Sequence, residues 1–212
     1  MKSRLLAGLC LSVIAGGCGG GHRYVPAPTQ IPPRLDVKRY GRVGLVTFTV
    51  AKAKGTLHEL ATARFSEAVL ESQPGVEVLE LGAADSVLRR VGQAQFGAAA
   101  AQSLGTSKNV PVVFAGQITV SDVKPTGRVL GINLPSIKAT VSVELSVGLF
   151  SAETGGTLWR SSATATEEVG SLALVGGEPS FSAKDPNVAY GHLINRLVSI
   201  VTSDLRPTWE RH

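Results

Sequence analysis

The sequence predicts an α+β domain in which helices pack on a mixed β-sheet. Helical segments separate the early strand-like runs, whereas the later runs follow one another through short turns, as in an antiparallel meander. The composition, 43% hydrophobic with 24 glycines in 212 residues, supplies enough apolar surface for a packed core. We therefore expect the order β-α-β-α-α-β-β-β-α.

The first half alternates strands with helices. Residues 42–50 are rich in Val and Thr, which favours a strand. Thr56 and Glu59 have the spacing of a capping box, so a helix is expected to begin there and to end before the Pro-Gly pair at residues 74–75. That pair leads into a short strand over residues 76–81.

The middle of the chain contains two helices and then a strand. Residues 83–91 and the Ala-rich residues 95–104 have helical patterns. Residues 110–123 form the next strand, in which Gly116 indicates a bulge or a close approach of other atoms to the backbone.

The clearest periodicity runs over residues 139–150. Apolar and polar side chains alternate, which is typical of an antiparallel strand with one buried face and one exposed face. A hairpin turn at residues 153–156, Glu-Thr-Gly-Gly, leads into a partner strand over residues 157–166. The apolar row is Val141, Val143, Leu145, Val147 and Leu149.

The last helix is expected to begin at Asp185-Pro186, with Asp at the cap and Pro at the first helical position. One apolar stripe continues toward Asp204 and is expected to face the sheet. We therefore place a single α+β domain at residues 38–212. The stripe consists of Tyr190, Leu193, Ile194, Leu197, Val198 and Val201.

Residues 1–17 have the layout of a bacterial lipoprotein signal peptide. Two cations precede an apolar segment, and small residues at 15–17 precede Cys18. The segment is shorter than the roughly 20 apolar residues of a membrane-spanning helix. We expect Cys18 to be the lipidated first residue of the mature chain; a plain secretory signal is the alternative. Gly19, rather than an acidic residue, follows the cysteine, which resembles the default sorting to the outer membrane in Gram-negative bacteria. We therefore expect lipid anchorage in the outer membrane, facing the periplasm.

Residues 18–37 are interpreted as a lipidated flexible tether. Glycines follow the cysteine, and four prolines between residues 26 and 33 favour extended conformations. At about 3.1 Å per residue, some fifteen residues place the domain up to ~45 Å from the lipid. A passive spacer is expected, and a partner-binding strand that orders on contact is the alternative.

Charge and cysteine content narrow the function classes. The net charge of +5 falls to +3 because the signal removes two cations and no acidic residue. This small charge, with 5% aromatic residues, argues against nucleic-acid binding. Cys10 would leave with the signal, so the mature chain keeps Cys18 alone and forms no intramolecular disulfide.

No catalytic or cofactor motif stands out in the sequence. No pair of histidines has ligand spacing on one element, and no Gly-x-Ser-x-Gly motif occurs. We therefore expect no metal, no cofactor and no enzymatic activity. The histidines are His22, His58, His192 and His212.

Two lysines and two tryptophans remain as candidate binding residues. Lys52 and Lys54 precede a helix N-terminus, where the helix dipole favours anions. A solvated loop is the simpler interpretation, and a weak anion contact is the alternative. Trp159 is interpreted as a core or rim residue rather than a ligand platform. Trp209 is expected to pack the terminus onto the domain or to anchor a partner.

Five segments carry a resemblance to a known group of folds: residues 43–48, 74–78, 112–118, 143–147 and 153–159. In this order they resemble the periplasmic domain of the curli-secretion-channel lipoproteins. That fold is shared with the penicillin-binding-protein activator lipoproteins and the amino-terminal domain of TolB. The resemblance implies a lipid-anchored envelope protein that binds or builds other assemblies, in a group where several members form rings.

The channel members insert two β-hairpins into the outer membrane, each with strands of about 9–11 residues. The corresponding stretches here are residues 126–138, which are too few, and residues 167–184, which Gly176, Gly177 and Pro179 interrupt. Pore formation is therefore not expected. We expect a non-enzymatic binding or scaffold module in envelope assembly, with an envelope protein as partner. The alternative is a ring-forming homo-oligomer of a secretion or transport channel.

Overall fold

The computed structural model of the chain describes six ranges of residues, which are 27–51, 56–121, 124–128, 136–175, 178–183 and 186–210. Within them the chain forms the predicted α+β domain, with helices packed on a mixed sheet. None of the helices in these ranges combines the length and the apolar character that crossing a bilayer requires.

The described ranges contain strands β1 (Thr29–Ile31), β2 (Arg42–Thr47), β3 (Thr49–Ala51), β4 (Glu77–Ala83), β5 (Val112–Val120), β6 (Lys124–Arg128), β7 (Ser136–Ser151), β8 (Thr157–Val175), β9 (Glu178–Ala183) and β10 (Thr208–Glu210). The helices are α1 (Leu57–Ser72), α2 (Ala84–Arg90), α3 (Ala98–Lys108) and α4 (Pro186–Val201). Short 3₁₀ turns lie at Lys38–Tyr40 and Ser203–Leu205.

Eight of the strands form one sheet with the central order β4-β2-β5-β7-β8-β9. β2 pairs in parallel with β4 and β5, whereas β7 pairs antiparallel with β5 and β8. A parallel pair needs a crossover connection, and an antiparallel pair needs only a turn. The helix-rich first half therefore forms the parallel part of the sheet, and the meander forms the antiparallel part.

The main core lies between one face of the sheet and helices α1 and α4. The whole predicted apolar row of β7 is buried there, as are five of the six stripe residues of α4, with Tyr190 partly buried beside them. Phe65 joins Phe48 and Phe114 by edge-to-face contacts, with ring centroids 5.3 and 5.1 Å apart. Each large apolar side chain buried in this way contributes roughly 1.5 to 3 kcal/mol.

A smaller core lies on the opposite face of the sheet, under α2 and α3. It joins Leu81, Val87 and Leu104 to the parallel strands β2, β4 and β5. Most of the antiparallel half is left uncovered on this face, because α2 and α3 mainly follow the parallel strands. The uncovered part is an exposed polar surface of the antiparallel strands.

The predicted capping box at the start of α1 is wrong. Thr56 occupies the N-cap position, but its hydroxyl makes no capping hydrogen bond. Its backbone, with φ −99° and ψ 19°, lies outside the β region that a capping side chain requires. A different threonine of this helix, Thr62, bonds to the sheet: its hydroxyl accepts a hydrogen bond from the N–H of Phe48 at 2.9 Å.

The packed region begins before residue 38, where the sequence places the end of the tether. Leu35 and Val37 are buried in the main core, and the N–H of Leu35 donates to the carbonyl of Asp204 at 2.9 Å. β1 pairs antiparallel with β10. These contacts join residues 29–37 to the folded part, so packing begins before the boundary expected at residue 38, while a flexible tether ahead of them stays a prediction. Residues 18–26 lie outside the described ranges.

The two stretches compared with membrane hairpins contain the outer parts of β6, β7, β8 and β9. Within the described ranges, β6 has five residues and β9 has six. β9 pairs with β8 only from Gly170 to Val175. Among the described residues, the earlier part of β8 therefore has a neighbouring strand on one side alone.

Candidate functional site: an open face and edge of the sheet

Three residues singled out in the sequence lie outside the described ranges: Cys18, Lys52 and Lys54. Lipid attachment at Cys18 and a weak anion contact at the two lysines therefore stay predictions. In the described part, His58 lies on α1 with no hydrogen-bond partner for Nδ1, and His192 lies exposed on α4. No group of three or more His, Cys, Asp or Glu side chains in those ranges has the arrangement that holds a metal.

Trp159 is half-buried and packs against the main core, consistent with the expected core or rim position. Its ring makes an edge-to-face contact with Phe114, with centroids 6.2 Å apart. Its Nε1–H donates a hydrogen bond to Oδ2 of Asp204 at 3.1 Å. Because both the ring and its polar atom are satisfied inside the domain, Trp159 offers little to a ligand.

Trp209 lies on β10, opposite Gln30 of β1. Backbone pairing attaches the terminus to the domain, but the indole is 63% exposed. Packing of the ring onto the domain, the first of the two expectations for this residue, is therefore wrong. Its use as a partner anchor stays a prediction.

The open face is the uncovered surface of β5, β7 and β8 opposite α1 and α4. Successive side chains of a strand point to opposite faces of the sheet. The residues between the buried apolar ones therefore form a polar surface on the other face. The hydroxyls of Ser142 and Thr166 join two of these strands at 2.8 Å. The open face consists of Gln117, Thr119, Ser142, Glu144, Ser146, Arg160, Ser162, Thr164 and Thr166.

At one end the open face deepens into a cleft of about 510 Å³ beside the start of α2. Gly148 forms part of its floor, and the ring of Phe150 lies against it: a Cβ at Gly148 would stand 2.9 Å from that ring. Phe96 contacts Phe150 edge to face, with centroids 5.2 Å apart. Asp85 and Arg160 supply opposite charges to the lining.

The cleft offers contacts to a ligand rather than a reactive group. Hydroxyl and amide side chains such as Ser146 and Gln117 donate and accept hydrogen bonds, and the Phe150 ring supplies apolar area. The described lining residues include no histidine, cysteine or lysine. Among these described lining residues, a serine therefore has no histidine or lysine base of the kind that activates a nucleophile.

The β8 edge, residues Thr157–Thr166, completes the site. β7 pairs with this segment on one side, and the pairing of β8 with β9 on the other side begins only at Gly170. None of the further backbone–backbone hydrogen bonds among the described residues involves it. Sequence reasoning missed this edge because a strand pattern shows which residues alternate, but not how many neighbours the strand has.

No protein-family model matches the chain, and no curated protein matches it. Among solved structures, the chain is similar to the PelC dodecamer of Paraburkholderia phytofirmans, with 14% identity and a TM-score of 0.44. The match covers 85% of this chain and 99% of that one.

Two further structures are similar over much of their own length. Lipoprotein GNA1162 of Neisseria meningitidis has 15% identity and a TM-score of 0.39, covering 73% of this chain and 93% of that one. The LpoB C-terminal domain of Salmonella enterica has 13% identity and a TM-score of 0.35, and the match covers 59% of this chain and 83% of that one. Bacterial lipoproteins are thus among the structures that this chain resembles, while the likeness to the curli channel and TolB stays a prediction.

Proposed function

We propose that the chain is a periplasmic lipoprotein module, anchored to the outer membrane through lipid on Cys18, that binds an envelope protein without catalysing a reaction. The observation that carries the proposal is the open face. It is a polar, hydrogen-bonding surface on a rigid sheet, and its described residues lack a paired nucleophile and base. Such a surface is suited to recognition, because its donors and acceptors are held in place by the core beneath them.

The location half of the proposal is tested at Cys18. Mass spectrometry of the amino-terminal peptide of the mature protein should find Cys18 as the first residue, carrying a diacylglyceryl group. The matched variant Cys18→Ser should leave the membrane fraction. Recovery of an unprocessed peptide, or membrane attachment that persists in Cys18→Ser, would contradict lipid anchorage there.

The binding half is tested by placing a photo-cross-linking amino acid on the open face of the full chain in cells. Glu144 lies exposed on this face, whereas Glu67 lies exposed on α1, on the other side of the domain. We expect a probe at position 144 to form an adduct with another envelope polypeptide, and a probe at position 67 to form none. Equal labelling from both positions, or from neither, would contradict recognition through the open face.

A ring-forming component of a secretion or transport channel is the second candidate. The observation that favours it is a pair of unlike edges on opposite sides of one sheet, at β4 and at the part of β8 before Gly170. Head-to-tail contacts between unlike surfaces build rings when the rotation closes. The native mass of the lipidated protein distinguishes the candidates: a closed ring supports the channel component, and a monomer or dimer supports the binding module.

A further inference from the structure

The first and last strands form a two-stranded ribbon that is separate from the main sheet. β1 pairs antiparallel with β10, and Gln30 lies directly opposite Trp209. Side chains of directly opposed residues project from the same face of an antiparallel pair. Gln30 lines a cleft of about 620 Å³ between the ribbon and the end of α1. The Trp209 indole, which is 63% exposed, therefore stands on the side of the ribbon that faces this cleft.

The cleft combines proline rings with a positive charge. Lys38 and Arg206 contribute two cations to its lining, against one carboxylate from Glu71. Neither cation has an ion-pair partner within the described part of the chain. Proline has no backbone N–H to offer a ligand, so an anionic group in the cleft would be held by the two cations. The prolines of the lining are Pro32, Pro33, Pro74 and Pro207.

Exposed apolar side chains are concentrated at this end of the domain. Gln73 and Leu205 are hydrogen-bonded to each other, so α1 and α4 end side by side near the ribbon. Four of the five large apolar side chains that are exposed among the described residues lie on the ribbon or in the last turns of these two helices. Such a concentration usually marks a surface that meets another protein or a membrane. The four are Ile31, Leu70, Ile200 and Trp209.

The chain holds this end of the domain nearest to the membrane, given the lipid anchor at Cys18 on which the proposed function rests. Thr29, the first residue of β1, comes eleven positions after Cys18. Each residue spans at most about 3.6 Å, so β1 begins within about 40 Å of the lipidated cysteine. Docking of this end against the bilayer is then intramolecular, and a weak contact is enough to maintain it.

We propose that this end of the domain lies against the phospholipid bilayer that holds the anchor. The Trp209 indole lies in the interfacial layer, which tryptophan prefers because its ring is apolar and its N–H is polar. Lys38 and Arg206 contact lipid phosphates, to which cations are attracted near a bilayer surface. The contact leaves the open face, on the other side of the sheet from α1, available to an envelope protein.

Fluorescence quenching by brominated lipids tests this contact in the full-length lipidated protein. The protein is reconstituted into vesicles of phosphatidylethanolamine and phosphatidylglycerol that carry bromine on the acyl chains near the headgroups. In the Trp159→Phe variant, which retains Trp209, we expect most of the emission to be lost relative to the same vesicles without bromine. The emission should also shift to shorter wavelength. Iodide, which reaches the exposed indole in the absence of lipid, should no longer quench it.

Two control proteins show whether the contact is confined to this end. Trp209→Phe retains Trp159, which packs against the main core, and its emission should be unaffected by bromine. In a chain with both tryptophans replaced by phenylalanine, Glu144→Trp places an indole on the open face. This exposed probe should remain accessible to iodide and should also be unaffected by bromine.

Two double variants test the role of the cations. Lys38→Gln combined with Arg206→Gln should restore a substantial part of the Trp209 emission in brominated vesicles, because the phosphate contacts are lost. Arg89→Gln combined with Arg90→Gln removes the same charge from the exposed end of α2 and should leave the quenching unchanged. Equal effects of the two double variants would contradict the phosphate contacts.

Flotation of the vesicles separates the anchor from the contact. Protein that does not float with the vesicles contradicts lipid anchorage at Cys18, and this proposal with it. Protein that floats while bromine leaves the Trp209 emission unchanged overturns the contact alone. Protection of Trp209 from iodide without quenching by bromine also overturns it, because a second copy of the chain then covers the indole. Equal quenching of Trp159, Trp209 and the probe at position 144 overturns it as well, since the contact is then not specific to this end.

Discussion

The side-chain amide of Gln73 donates a hydrogen bond from Nε2 to the backbone carbonyl of Leu205 across 2.6 Å. Gln73 is fully buried at the end of α1. Its Nε2 also lies 3.4 Å from the carbonyl of Leu35, and its Oε1 accepts the N–H of Val37 at 3.3 Å. One side chain therefore joins the segment before β2 to the turn after α4.

Replacing this side chain with an apolar one should destabilise the domain. Gln73→Leu leaves buried backbone groups without their partner, so we expect the free energy of unfolding to fall by about 2 to 4 kcal/mol. Urea denaturation measures the change. In the control Gln102→Leu, the side chain loses one exposed hydrogen bond, to the carbonyl of Glu153, and a loss above about 1 kcal/mol there would contradict the explanation.

Shortening the chain from its amino terminus should reveal where the folded domain begins. A chain that starts at residue 38 lacks Leu35 and Val37, whose side chains are buried, and leaves Gln73 without two backbone partners. We expect it to melt at a lower temperature than a chain that starts at residue 27. Equal melting temperatures would place residues 27–37 outside the cooperative unit.

Leu145 and Ser146 should respond in opposite ways to a negative charge. Leu145 is fully buried in the main core, so Leu145→Asp should prevent folding, because an unpaired charge cannot be accommodated there. Leu145→Ala should cost about 2 to 5 kcal/mol. Ser146→Asp, one residue along on the open face, should leave the circular dichroism spectrum and the melting temperature nearly unchanged. A folded Leu145→Asp protein would contradict the burial of this row.

Two helical glycines should give stability changes of opposite sign when replaced by alanine. Gly105 of α3 lies against Ala152, and an added Cβ there would also stand 3.0 Å from the carbonyl of Val110. At Gly191 of α4, an added Cβ would meet nothing within 4 Å. Alanine favours a helix by about 0.8 to 1 kcal/mol over glycine, so Gly191→Ala should stabilise the protein.

At Gly105 the collision should outweigh that gain, because overpacking typically costs about 1 to 3 kcal/mol. Gly105→Ala should therefore destabilise the protein in the same chemical denaturation experiment. Stabilisation by both substitutions would indicate that α3 can move away from Ala152 at little cost.

The two tryptophans should differ in fluorescence. Trp159 is partly buried and hydrogen-bonded to Asp204, whereas the Trp209 indole is 63% exposed. In the Trp159→Phe variant, which retains Trp209, emission should lie at longer wavelength and iodide should quench it strongly. In Trp209→Phe, emission should be blue-shifted and protected. Similar quenching in both variants would contradict the two environments.

Most of the secondary structure follows from local patterns. The alternation over residues 139–150 predicts both the strand and its buried face, and the 3.6-residue stripe after Pro186 predicts α4 with its buried side. In both cases the burial of a whole apolar face contributes far more free energy than the intrinsic conformational preference of any single residue. Boundaries were less accurate: α3 begins at Ala98, three residues later than the helix expected over residues 95–104.

The errors arise where a residue's partner is distant in the chain. Leu35 and Val37 follow a proline-rich stretch and resemble the end of a tether, but they are buried through contacts with Gln73 and the turn at Leu205. Thr56 has the right spacing for a capping box, yet its backbone conformation prevents the bond. Neither outcome is encoded in neighbouring residues.

The sequence by itself determines the signal-like amino terminus, the α+β class and the polar row on β7 and β8, because these depend on composition and on periods of two or 3.6 residues. The tertiary structure alone decides which polar row stays open and which edge of β8 lacks a neighbouring strand within the described part of the chain. Those properties depend on where α2, α3 and β9 come to lie. Their positions are set by packing between residues far apart in the chain, and a local sequence pattern contains no information about such contacts.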